Sequence, residues 1–170
     1  RQMCIRDRHP FKRTRTTLSY LAVAAMGSPE DRKAYRKAVG KAHAKVRSTA
    51  DSPVRYNAFD PKLQLWVAAC LYKGTEDVLR IYGGRTEITD AEYQAGAVMG
   101  TTLQVPREMW PATRADFEEY WNSTVAELEI DPVIRDHLMA IARVEFLGPV
   151  VSTLLGWWFE ILALGFLPEE

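Results

Sequence analysis

Two groups of residues in this sequence could do chemistry. The first is a single histidine. Of three histidines, His9 sits in a basic opening segment and His137 follows Asp136 on an amphipathic stretch, and both suit solvated or structural roles. No two histidines are four residues apart and no His-Glu-x-x-His occurs, so a hydrolytic zinc site has no support. His43 lies beside the apolar positions Tyr35, Val39 and Val46 of a segment otherwise rich in Lys and Arg. An imidazole in such a place is either a satisfied core histidine or a single axial ligand to haem. In the second case the porphyrin brings four nitrogens and the protein adds apolar walls. Trp66, Trp110, Trp121, Phe146, Trp157, Trp158 and Phe159 could supply those walls.

The second group is Lys12, Arg15 and Thr16. Offsets of three and four put them on one face of a helix. Such a face is either a solvated basic start or a seat for a propionate, a phosphate or a polarised oxygen species. Nucleic-acid binding would need interleaved aromatics or a recognition-helix signature, and neither occurs, so no nucleic-acid partner is expected.

Other chemistries are poorly supported. Glu118-Glu119 and Glu169-Glu170 are adjacent pairs, which point to different helix faces rather than to one substrate. No Gly-x-Ser-x-Gly elbow occurs. Cys4 and Cys70 are far apart, which excludes a disulfide scaffold and a multi-cysteine zinc site. The formal charge of zero hides an asymmetry: residues 1–50 carry a net +10 and residues 51–170 a net −10. A wholly polybasic surface is excluded, while a local anion site in the first fifty residues is not.

The elements that would position these groups are helices. Pro10 reads as a break, and an apolar helix spans Thr16 to Met26. Ser28-Pro29-Glu30-Asp31 is a helix start, running to about Val46. Asp60-Pro61 opens a helix to Gly83-Gly84 with Leu63, Trp66, Val67, Cys70 and Leu71 on its inner face. Thr89 with Glu92 is a capping box for a helix to about Leu103. Thr113 with Asp116, and Asp131-Pro132, open two more. Phe146 to Pro168 holds one charge, Glu160. Its length would suit a bilayer span, but its glycines, Pro149 and a near-central carboxylate favour a buried helix, with Glu160 paired to an arginine. Peripheral membrane contact is the other reading. The fold expected is all-α: one multi-helix domain over residues 1–170 with a buried apolar C-terminal helix.

Several ordered phrases then resemble one family. Lys12-x-x-Arg15-Thr16 is followed by Met26-Gly27-Ser28-Pro29-Glu30, then by Val39-Gly40-Lys41-Ala42-His43-Ala44-Lys45-Val46. Next come Tyr56-Asn57-Ala58-Phe59-Asp60-Pro61 through Trp66-Val67, then Gly100 to Pro106 and Trp110-Pro111-Ala112-Thr113. Together they resemble the MpaB-like oxygenases, the family of the rubber-oxygenase (latex-clearing protein) catalytic domain. The resemblance implies an all-helical domain with haem b, oxidising an apolar, isoprenoid or lipid substrate with molecular oxygen. It implies that His43 is the proximal iron ligand, that Lys12, Arg15 and Thr16 are the distal catalytic group, and that Trp66 packs beside the haem.

Two departures stand out. Lys12 stands where arginine can occur, which keeps the charge and loses the fork. The family's Trp-Val-His is here Trp66-Val67-Ala68, so a frequent pocket histidine is absent. A non-catalytic haem- or lipid-binding protein is therefore the alternative. Helical sequence flanking both ends is expected from the family, and the location expected is cytoplasmic or membrane-associated.

Overall fold

A computed structural model describes residues 10–52, 54–85 and 87–165. Among these residues the chain is all-α. Its helices are α1 (Pro10–Met26), α2 (Pro29–His43), α3 (Pro61–Gly83), α4 (Asp90–Gly96), α5 (Val98–Thr101), α6 (Arg114–Ala126), α7 (Pro132–Ala142) and α8 (Pro149–Leu164). Short 3₁₀ turns lie at Arg107–Met109 and Glu145–Leu147. The extended pairing described is a lone antiparallel bridge between Arg47 and Asn57.

Local signals set the helix starts. Ser28 accepts from the Asp31 amide while the Asp31 carboxylate accepts from Ser28, and Thr89 and Glu92 repeat that reciprocal cap. Arg85 and the Thr89 donors hold the Glu92 carboxyl down at about 2. Asp60 and Asp131 cap helices whose first residue is proline. Pro10 likewise begins α1 rather than breaking it, so Lys12, Arg15 and Thr16 are all helical. The helix expected from Thr89 to Leu103 divides at Ala97 into α4 and α5.

The chain forms two compact units: Arg1–Arg15 with Glu127–Glu170, and Thr16–Ala126. The Thr16–Ala126 unit holds an aromatic core. Tyr72, Tyr93, Trp110 and Phe117 are buried, with ring centroids 5.0–5.8 Å apart. Most of these pairs are tilted or edge-to-face, which sets positive ring edges against negative faces. Trp121 extends the cluster, stacking on Phe117 and on Trp66.

α3 turns a different face inward from the one its large apolar residues suggest. Of the face expected, Leu63, Val67 and Cys70 are exposed and Trp66 and Leu71 half-buried, while Gln64, Leu65, Ala68, Ala69, Tyr72, Glu76 and Asp77 are buried. Small residues explain the difference. α3 packs on α5, and a Cβ built on Gly100 would meet Ala68 Cβ at 3.3 Å. Two backbones that close exclude bulk from the seam, so the alanine face wins over the leucine face.

The described part of the other unit contains α7 and α8, which pack on one another. A Cβ on Gly156 would lie 2.9 Å from the Arg143 carbonyl, and Gly156 is the buried residue of α8. The Arg143 guanidinium donates to both Glu160 oxygens, at 2.9 and 3.0 Å, and holds that carboxyl below its usual range. The arginine partner expected for Glu160 is therefore present. The burial expected for this helix is not: Trp157 is 58 % exposed and Trp158 52 %, with Leu154 and Ile161 also outward. Apolar composition selects against water, but it does not say which surface supplies cover. Among the described residues no helix is long and apolar enough to cross a membrane.

Candidate functional site

α2 carries the histidine. Its first turn is fixed by the Ser28–Asp31 cap, and it ends on His43 itself, with the Ala44 amide returning to the Gly40 carbonyl. The half-buried residues Arg32, Tyr35, Val39, Gly40 and His43 form one stripe along it. Val46, expected on the same stripe, lies beyond the helix and is exposed. Gly40 faces Gln104, whose Nε2 would sit 3.8 Å from a Cβ there.

The histidine's backbone is tied to the core by a hydrogen-bond chain. Val46 N–H donates to the His43 carbonyl (2.8 Å), and Ala58 N–H to the Val46 carbonyl (2.9 Å). Gln64 Nε2 donates to the Ala58 carbonyl (2.7 Å) and to Gln104 Oε1 (2.6 Å), and Gln104 N–H returns to Gln64 Oε1 (3.1 Å). Gln64 is buried and both ends of its amide are hydrogen-bonded, which makes it a rigid peg under the segment that follows the histidine. The two glutamines are forty residues apart in sequence, and no local pattern points to them.

The His43 side chain makes no hydrogen bond among the described residues. A half-buried imidazole with both nitrogens uncommitted is suited to ligation, because a core histidine would have one nitrogen satisfied. Among the described residues no three of His, Cys, Asp or Glu converge to hold a metal ion. A metal held at His43 would have to take its other ligands from outside the described His, Cys, Asp and Glu side chains.

Thr16 belongs to the same compact unit as His43 and Trp66. Its carbonyl accepts from the Tyr35 hydroxyl at 2.8 Å, which ties α1 to the inward stripe of α2. Burial and the neighbouring Tyr35 push the Tyr20 hydroxyl well above the ordinary tyrosine range, and it donates to the Met99 carbonyl. Lys12 and Arg15 belong to the other unit, share the Thr16 face of α1 by their spacing, and are exposed. Trp66 stacks on Trp121 at 5.0 Å and packs against the aromatic core.

Ala68 is 2 % exposed and closed against Gly100. A histidine at this position would need several more heavy atoms of space, plus a partner for each nitrogen. Ala68→His is expected to cost about 1–3 kcal/mol by overpacking. In a chain of this size that corresponds to a melting temperature lower by roughly 2–4 °C per kcal/mol, measurable by far-ultraviolet circular dichroism.

A second polar cluster lies away from His43. Buried Glu76 accepts from Arg114 Nε at 2.6 Å and from Lys73 at 3.2 Å, beside a cavity of about 410 Å³. Arg114 also reaches Glu118, Lys73 and Arg80 reach Asp77, and Arg85 reaches Glu92. Burial and Glu76 push the neighbouring Tyr72 hydroxyl up to about 12. Each cation here is matched by a carboxylate, which describes a lock between α3 and α6 more than a binding site.

Comparison with known proteins gives the same family as the sequence phrases. A family model described as "ER-bound oxygenase mpaB/B'/Rubber oxygenase, catalytic domain" matches residues 4–170. The chain is 51 % identical over 165 residues to "Uncharacterized protein Rv2237" of Mycobacterium tuberculosis, and equally to "Uncharacterized protein Mb2261" of Mycobacterium bovis. Each alignment covers 96 % of this chain and 65 % of the relative, so the chain spans less than two thirds of their length. No solved structure matches it.

Proposed function

The chain belongs to the MpaB/rubber-oxygenase catalytic-domain family, and from that premise we propose that it works as a haem b-dependent oxygenase on an apolar substrate. The observation that supports this best is the His43 imidazole, half-buried at the end of α2 and uncommitted to any protein partner among the described residues. His43 would hold the iron. The haem, when bound, supplies the oxygen and redox chemistry.

The chain's own residues would do the rest. Gln64 and Gln104 fix the backbone that follows His43, so the imidazole is presented by a rigid end rather than a fraying one. On the family pattern, Lys12 and Arg15 would offer charged donors where negative charge develops, and the Thr16 hydroxyl would orient a water or a polar oxygen. Trp66 would contribute an apolar wall. The substrate proposed is an isoprenoid or lipid chain, and molecular oxygen is the co-substrate.

Ala68 favours a second reading, a haem- or lipid-binding protein without turnover, because the position that carries a histidine in many members is here a closed core contact. One experiment separates the two. The full-length protein is reconstituted with haem, and oxygen uptake is followed with squalene and with polyisoprene. A Soret band with uptake is expected. A Soret band without uptake selects the binding protein, and no haem uptake overturns both haem readings.

A further inference from the structure

The cations of α2 point to a second site. The groove between α2 and the end of α5 is a cavity of about 330 Å³, lined by Arg32, Lys33, Arg36, Thr101 and Thr102 with Pro29 and Val98. No carboxylate lines it. Among the described residues none of the three cations has an acidic partner, in contrast to Lys73, Arg80, Arg85 and Arg114. Glu30 and Asp31 share the first turn of α2, but Asp31 is spent on the Ser28 cap and lines the groove against α1 instead.

Among the described residues, two buried polar atoms of this cavity's lining residues have no partner. Arg32 Nε is buried without an acceptor, and Thr102 Oγ1 is buried without any hydrogen bond. Thr102 is only 5 % exposed. A buried threonine at a helix end ordinarily returns its hydroxyl to a carbonyl three or four residues back. Here the Thr102 hydroxyl makes no such bond among the described residues. An unpaired guanidinium nitrogen and an unpaired hydroxyl are each costly to leave without an acceptor.

We propose that this groove is a binding site for an anionic group, a phosphate or a carboxylate, held by Arg32 and Arg36 with Lys33 and the Thr102 hydroxyl. Arginine forks match the paired oxygens of either anion, and lysine adds a point charge. The anion could be a free phosphate-type ligand. It could also be a haem propionate, because Arg36 is exposed on α2 seven residues before His43, two turns or about 10 Å along the helix. The site itself does not depend on His43 holding haem.

The test has two arms. Inorganic phosphate is titrated into the full-length protein, with the Thr101 and Thr102 amides followed by nuclear magnetic resonance. Haem and haem dimethyl ester, which lacks the carboxylates, are titrated in parallel by absorbance. Both arms compare wild type with Arg32→Gln/Arg36→Gln and with Thr102→Val. A free-anion site predicts saturable phosphate shifts weakened about tenfold or more in the arginine double variant, one charge-assisted bond being worth about that factor. These shifts would survive His43→Ala. A propionate site predicts instead that esterification and the double variant each weaken haem binding by a similar factor. Thr102→Val keeps shape and removes only the hydroxyl, so weaker binding with an unchanged or higher melting temperature supports ligation over a structural role. The proposal is overturned if neither phosphate nor haem binding distinguishes the variants from wild type. Failure of haem uptake alone leaves the phosphate arm to decide.

Discussion

Replacing His43 with alanine is expected to abolish the Soret band of the haem-reconstituted protein while leaving the fold intact. The side chain is half-buried, sits on the last residue of α2 and makes no hydrogen bond among the described residues. Its removal strands no buried partner, so the stability change should stay within about 0.5 kcal/mol. The melting temperature should therefore move by no more than about 2 °C. Free imidazole added to the alanine variant should bring the band back, because the truncated side chain leaves room where the ligand stood. A structural histidine would behave the opposite way, with lower stability, normal haem uptake and no response to imidazole. Retention of an unaltered Soret band in His43→Ala would sink the ligand assignment.

Phe117→Ala should be the most damaging substitution in the Thr16–Ala126 unit. Phe117 is 1 % exposed and touches Tyr72, Tyr93, Trp110 and Trp121. Truncation removes ring contacts on several sides, and large rigid neighbours cannot collapse into the gap. The expected loss is about 3–5 kcal/mol. The melting temperature should fall by on the order of 10 °C. Val125→Ala, on the same helix but exposed, should cost no more than about 0.5 kcal/mol. Equal losses at the two positions in a thermal denaturation series would contradict the core described here.

Much of this arrangement was legible in the sequence because it is local. The Ser28–Asp31, Thr89–Glu92 and Thr113–Asp116 caps lie within one turn of chain, and all three form. The ordered phrases around Lys12, His43 and Trp66 were enough to place the family. The inner face of a helix is not set locally. On α3 the bulky residues look like the core, yet backbone approach at Ala68 and Gly100 decides the packing. On α8 an apolar run looks buried, yet composition says nothing of what covers it. Pro10 looks like a break in the sequence, yet proline is equally at home at a first helical position. Gln64 with Gln104, and Glu76 with Arg114, are joined only by the fold, over forty and thirty-eight residues, and carry no periodic signal.

The tryptophans divide between the two compact units in a way that makes the protein its own optical gauge. Trp66, Trp110 and Trp121 lie in or against one aromatic cluster, where close rings shield them from collisional quenchers and couple their transitions into the near-ultraviolet dichroism. Trp157 and Trp158 meet edge-to-face at 5.7 Å on an outward helix surface, within reach of iodide and of water. Quenchable, red-shifted emission thus belongs to α8 and protected emission to the Thr16–Ala126 core. A ligand, lipid or partner that covers α8 would announce itself as a loss of iodide access without disturbing the dichroism of the other set.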